Sequence, residues 1–198
     1  MSVRLTGDWR RARSLLTGSA TKLRRGMEAA VREEAKRARA EVVRGIRKQA
    51  PGGKRLDQPS PLTLASRQLE GMRGRGALQA SGELLKAITY VARGLDAFVG
   101  LKRSARGSDG RSLAEIADVQ EHGSAPIAIP MTPAMRRFLS VLRARGGGGG
   151  DGTGGGTGVV VVTVPPRPFL KPSFEAAVRG ARRRLAAHVS RRLGFGRP

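Results

Sequence analysis

The sequence predicts an α+β domain: a small antiparallel sheet packed against a long N-terminal helix, with a basic C-terminal helix. Three observations predict it. Residues 19–49 carry apolar side chains at steps of three and four, the period of one helix face. Two short runs with β-branched and aromatic residues, "ITYVARG" and "DAFVGLK", flank the turn "RGLD" as the arms of a hairpin do. After a glycine tract, "VVVVTV" leads into a proline-rich segment and then into a final stretch of helical periodicity. The chain has 198 residues, 39% of them hydrophobic and 4% aromatic, enough for one domain with a modest core of Val, Leu, Ile and Ala. That domain is expected over residues 1–198, with loop insertions at about 52–80 and 146–158.

In the first helix the apolar stripe is Leu23, Met27, Ala30, Val31, Ala38, Val42 and Ile46, and Glu33 and Arg37 lie four apart on the outer face. A shorter helical piece from Trp9 to Leu16 precedes it, and "QAPGG" ends it with proline and glycines. The following polar stretch is loop, with a helical turn near Leu62 to Met72. Ser81 is expected to cap the short helix "SGELLKAI". After the hairpin and the loop "SARGSDGR", "SLAEIADVQEHG" forms a short helix with Leu113, Ile116, Ala117 and Gln120 on one face and Gly123 past its end. "IAIP" is a brief strand, and "MTPAMRRFLSVLRAR" a helix with Thr132 as N-cap and Pro133 at its first position. The tract 146–158 has the glycines of a phosphate loop, but no Gly-Lys-Ser/Thr follows and a strand stands where a helix is needed. It is expected to be a flexible linker spanning about 20 Å. The β-branched run 159–164 predicts a strand buried on both faces or central in the sheet. Ser173 is expected to cap the last helix, which aligns Phe174, Val178, Ala181, Leu185 and Val189.

Charge narrows the functional classes. With 38 basic against 15 acidic residues the formal charge is +23, so the chain seeks anions: nucleic acid, acidic protein faces or acidic lipid. The broken apolar stretch at the N-terminus is not expected to act as a signal peptide, no apolar run approaches the roughly 20 residues of a membrane span, and the chain contains no cysteine. No Ser/His/Asp set or zinc motif appears. His122 and His188, the two histidines, sit at a helix end and among arginines, and Asp96, Glu115, Asp118 and Glu121 have no metal-site spacing. An enzyme is not expected, nor a cofactor or metal. Basic residues gather at both ends, fourteen against five acidic in residues 1–50 and nine against one in 167–198. Trp9 and Tyr90 stand alone, so stacking platforms for single strands are missing. Any nucleic-acid contact would go to phosphates and depend on salt. The candidate contacts for phosphates or acidic partners are Arg179, Arg182, Arg183, Arg184, Arg191 and Arg192.

The segment "VPPRPFLKPSF", residues 164–174, sets Phe169 and Leu170 in a stiff proline frame. Two roles are open for Phe169: an anchor presented to a neighbouring subunit, or a staple onto the last helix near Phe174. Several landmarks coincide along the chain: Ala50-Pro51; Ser81-Gly82 with Leu84 and Ile88; Val99-Gly100; Ala117, Glu121 and Gly123; and Pro166 to Leu170. In this order they resemble the neck or tail-completion proteins of tailed bacteriophages, including the phage Mu-type virion morphogenesis proteins. The resemblance covers about residues 20–190, with "PPRPFL" its most specific part. The thirty-odd residues between Pro51 and Ser81, and the glycine tract, depart from the family pattern.

The resemblance implies a structural virion protein at the head–tail junction, made in the host cytoplasm. It would join tail to head as a homo-oligomeric ring, six copies being expected. Its partners would be head-closure or connector proteins, tail-terminator or tail-tube proteins, and DNA phosphates in the channel, with no membrane. Arg167, Phe169 and Leu170 become the expected subunit interface. The alternatives are a sequence-neutral DNA- or RNA-binding protein and, more remotely, a phage-encoded nuclease.

Overall fold

The computed structural model describes residues 9–146 and 158–193. Helix α1 runs unbroken from Trp9 to Arg47, so the expected short piece and long helix are one element of 39 residues. At 1.5 Å per residue it is about 60 Å long. Its buried apolar side chains, among the described residues, begin at Ala30. Ala30, Ala35, Ala38, Val42 and Ile46 are buried, whereas Leu23 and Met27 stay 40% and 39% exposed. The apolar stripe is continuous in sequence, but its cover is not.

The helix ends where proline and glycine require it. A 3₁₀ turn occupies Pro51–Gly53, and Gly52, at φ 59°, sits so close to the Pro172 carbonyl that a side chain there would clash. Gln49 Nε2 donates to Ile46 O and Ala77 O, and Gln79 Nε2 also donates to Ile46 O, tying the helix end to the insertion that follows. Within that insertion lies helix α2, Pro61–Leu69, capped by Ser60. Helix α3, Glu83–Ala87, begins after Gly82, whose left-handed φ of 77° turns the chain. Gly82 rather than Ser81 is therefore the N-cap, and the Ser81 hydroxyl donates to the Glu83 carboxylate.

Strands β1 (Ile88–Arg93) and β2 (Asp96–Leu101) pair antiparallel from Ile88↔Leu101 to Arg93↔Asp96 around the two-residue turn Gly94-Leu95. This sheet packs on α1, and Arg39 Nε reaches across to donate to Ile88 O at 2.8 Å. Helix α4, Leu113–His122, is capped by Ser112 and ends at Gly123. Strand β3 is Ile127–Pro130, helix α5 is Pro133–Gly146 with the Thr132 hydroxyl accepting from Met135 N, and strand β4 is Val159–Val162. Residues 147–157 of the glycine tract lie outside the described residues.

Two expectations about the C-terminal third need correction. Among the described residues strand β4 pairs only with β3, as a second two-stranded sheet, and Val159, Val161 and Val162 are 45%, 64% and 39% exposed. It is neither central nor buried; a β-branched run fits any pleated, partly covered surface and does not say which neighbours cover it. The expected last helix is two: α6, Leu170–Val178, and α7, Ala181–Leu193, broken at Gly180 with φ 72°. Ser173 lies inside α6 and is fully buried, so it is not a cap.

One core gathers Val42 and Ile46 of α1 with Leu56, Ala77, Leu78, Leu84, Ile88, Ala117 and Phe169. The elements around it are α+β, a long helix with a small antiparallel sheet and helices at the C-terminal end. No helix among the described residues is long and apolar enough to cross a membrane.

Candidate functional site

Past β4 the proline segment runs along the C-terminal end of α4. Val164 N donates to the Ser124 hydroxyl at 3.0 Å, Ser124 N donates to Val164 O at 3.0 Å, and Arg167 N donates to Gln120 O at 2.6 Å. Gly123 permits this approach: a Cβ there would stand 3.1–3.3 Å from Val164 O and the Pro166 ring, at a φ of 84° that side chains disfavour.

The segment then enters α6 under a carboxylate supplied by α4. Glu121 Oε2 accepts from the N–H groups of Phe169 and Leu170 at 2.8 and 2.9 Å, and Oε1 accepts from Lys171 N at 2.9 Å. Pro172 has no N–H, so one side chain satisfies every free donor of the first turn. A negative charge at a helix N-terminus is also favoured by the helix dipole.

This clamp decides the fate of Phe169. Its side chain is fully buried in the core. The expectation of a phenylalanine held out to a neighbour is corrected; the side chain turns inward, as the other role required, and its seat is the core cluster. The proline arm is stiff, but it is fastened along α4 and so lies over the core instead of leaving it. Leu170 is half-buried and packs against the same cluster.

Arg167 is the member of the expected interface that faces a cavity. It lines two grooves, of about 440 Å³ and 910 Å³, and among the described residues its Nε makes one long bond, 3.4 Å to Asp57 O. Arg67 lines the larger groove beside it and donates through Nη1 to Gly74 O and Gly76 O. Burial, and then the Arg167 charge, lower the Arg67 pKa from its ordinary value. Across the groove, hydrogen bonds from Ser108 and Ser81 hold the Glu83 carboxyl below its usual range.

The candidate arginines of the C-terminal helices separate into two kinds. Arg184 pairs with Glu34 of α1 through Nε–Oε1 at 2.8 Å and Nη2–Oε2 at 2.6 Å, and also donates to the carbonyls of Ala177 and Arg179. The Glu34 hydrogen bonds raise its pKa. Its side chain is 27% exposed and holds α7 to α1, so it is a structural clamp and not a free contact for an external anion. Arg179, Arg182, Arg183, Arg191 and Arg192 are exposed and have no carboxylate within ion-pair distance among the described residues.

The histidines stay apart. His122 Nδ1 lies 3.1 Å from Asp118 Oδ1 on the exposed end of α4. His188 lines a pocket of about 390 Å³ between α1 and α7. Among the described residues no three His, Cys, Asp or Glu side chains converge as a metal ion requires.

Sequence reasoning missed three roles. The Glu121 clamp had a signal, an acidic residue at a helix end and a helix start led by prolines, but no spacing rule joins positions 48 apart. Nothing local distinguishes Arg184 from Arg182 and Arg183. Arg67 sits in the insertion and carries no pattern at all. Compared with protein-family models, with curated proteins and with solved structures, the chain matches none.

Proposed function

We propose that the protein is a structural, non-enzymatic component of a tailed-phage virion that completes the neck or tail end and joins tail to head as a ring. One observation carries this reading. The most specific part of the resemblance, "PPRPFL", and another of its landmarks, Glu121, form a single unit, because Glu121 caps the helix that the proline segment opens. A motif pair with no local reason to co-occur thus acquires a physical one.

The mechanism is assembly. The clamped unit provides a rigid body. The exposed arginines of α6–α7 meet acidic faces of connector or tail proteins, or DNA phosphates in the channel. Strands β3 and β4 each keep one unpaired edge among the described residues, where a neighbour's strand adds in register.

The test is an amber mutation of this gene in the phage or prophage that carries it. Filled heads and finished tails are expected to accumulate unjoined, and the purified protein is expected to join them. Joined, infectious particles lacking this protein refute the proposal. The charge of +23 favours a second reading, sequence-neutral nucleic-acid binding. Tight, salt-sensitive binding of naked duplex by the monomer, together with normal particles from the amber mutant, would select it.

A further inference from the structure

The groove of about 910 Å³ has chemistry that the assembly reading does not use. It runs between the 52–80 insertion, α4 and the start of the proline segment. Arg67 and Arg167 line it, close enough for the Arg167 charge to act on Arg67; Glu83 and Asp109, which both approach Gly107, line it too, as do Asp57, Leu84, Ile116 and Val164.

The acidic and the basic side chains differ in how their charges are met. Glu83 is engaged, with Oε1 accepting from Ser108 N at 2.9 Å and Oε2 accepting from the Ser81 hydroxyl, and Asp109 pairs with Arg111 at 3.4 Å. The arginines have only backbone oxygens: Gly74 O and Gly76 O for Arg67, and Asp57 O at 3.4 Å for Arg167. No carboxylate lies within ion-pair distance of either among the described residues. Two half-buried guanidiniums in one groove repel each other, and an anion seated between them removes that cost.

We infer that this groove binds an extended segment of a partner protein, with one acidic side chain between Arg67 and Arg167 and apolar neighbours along Leu84, Ile116 and Val164. Charge complementarity selects this occupant. A nucleic-acid strand carries a charge at every phosphate and would bring one against Glu83 and Asp109. A free phosphate or carboxylate leaves the apolar stretch unfilled. A segment with a single carboxylate meets the arginines and sets no second charge against Asp57, Glu83 and Asp109. The inference stands independently of a place in a virion.

The test uses the full chain and fluorescence anisotropy with labelled octapeptides that carry one glutamate among valine, leucine and alanine, each paired with its glutamine counterpart. The glutamate peptides are expected to bind about tenfold tighter, the scale of one charge-assisted bidentate contact. Arg167→Gln is expected to abolish that preference while melting with the wild type, and Arg167→Lys to keep part of it. Ile116→Lys is expected to weaken both peptides of each pair. Equal binding of the paired peptides overturns the inference, as does a preference that survives Arg167→Gln. Binding of duplex DNA or inorganic phosphate that Arg167→Gln removes, with no peptide bound, assigns another ligand and also overturns it.

Discussion

Three residues have roles that reverse the sign of a simple mutational forecast. Phe169 is fully buried, so Phe169→Ala removes a core side chain and is expected to cost about 3–5 kcal/mol. A domain of this size has only about 5–15 kcal/mol to lose. Urea unfolding checks this; a variant that melts with the wild type would mean the ring is not in the core. The Ser173 hydroxyl is buried against Gly45 of α1 and has no hydrogen-bond partner among the described residues. A helix cap would lose about 1 kcal/mol on Ser173→Ala, whereas removing an orphaned buried hydroxyl is expected to gain about 1 kcal/mol. The direction of the shift in urea midpoint separates the two. Arg184→Gln breaks the bond to Glu34 and leaves two carbonyls unpaired, so its melting temperature is expected to fall by several degrees. The double variant Arg182→Gln/Arg183→Gln is expected to melt unchanged and to lose salt-sensitive binding of acidic partners or DNA. Equal melting of the two variants would remove the clamp.

Among the elements, the joint between α4 and α6 organises the C-terminal third. Helix α6 has no side-chain cap of its own, and its N-cap position is Phe169. Its first turn depends on a carboxylate carried by another helix. Glu121→Ala is expected to destabilise the protein by about 2–3 kcal/mol, the range for hydrogen bonds to a charged group. The amides of Phe169, Leu170 and Lys171 should exchange faster by more than global stability alone explains. Glu121→Gln keeps an acceptor without the charge and should fall between. Unchanged exchange at those three amides would show that the turn stands without the clamp. The crossing of α1 with α6 is equally close, since a Cβ on Gly45 would stand 2.9 Å from both the Pro51 Cα and the Ser173 hydroxyl. Glycine there trades helix propensity, about 1 kcal/mol, for approach between backbones.

For the whole molecule, apolar surface and charge are unevenly placed. The core lies under the second half of α1, while Leu23 and Met27 on its first half, and Ile127, Phe138, Val141 and Val161 on the β3–α5–β4 portion, remain exposed. A charge of +23 keeps copies apart at low ionic strength, and salt screens that repulsion before it weakens apolar contact. The purified chain is therefore expected to sediment as a monomer at low salt and to associate as salt rises. Val161→Lys, at a position 64% exposed, should suppress the association without changing the melting temperature. A stable oligomer at low salt, indifferent to this substitution, would place self-association elsewhere.

The sequence by itself determined what is encoded within a few residues. The period of the apolar stripe places α1, Pro51 and its glycines end it, Ser112 and Thr132 open their helices, and the two-residue turn Gly94-Leu95 holds the β1–β2 register. Propensity, capping and turn geometry depend on neighbours along the chain, so they are visible there. Tertiary structure alone decided where each element finds its cover and its counter-charge. Strand β4 has the composition of a central strand and lies exposed, because among the described residues it pairs with β3 alone in a two-stranded sheet. Phe169 has the setting of a presented anchor and is buried, because Glu121, 48 residues earlier, fastens its segment over the core. One of three adjacent arginines became a clamp because Glu34, 150 residues away, meets it alone. Burial and ion pairing are set by distance in space, and the chain's local order carries no measure of that.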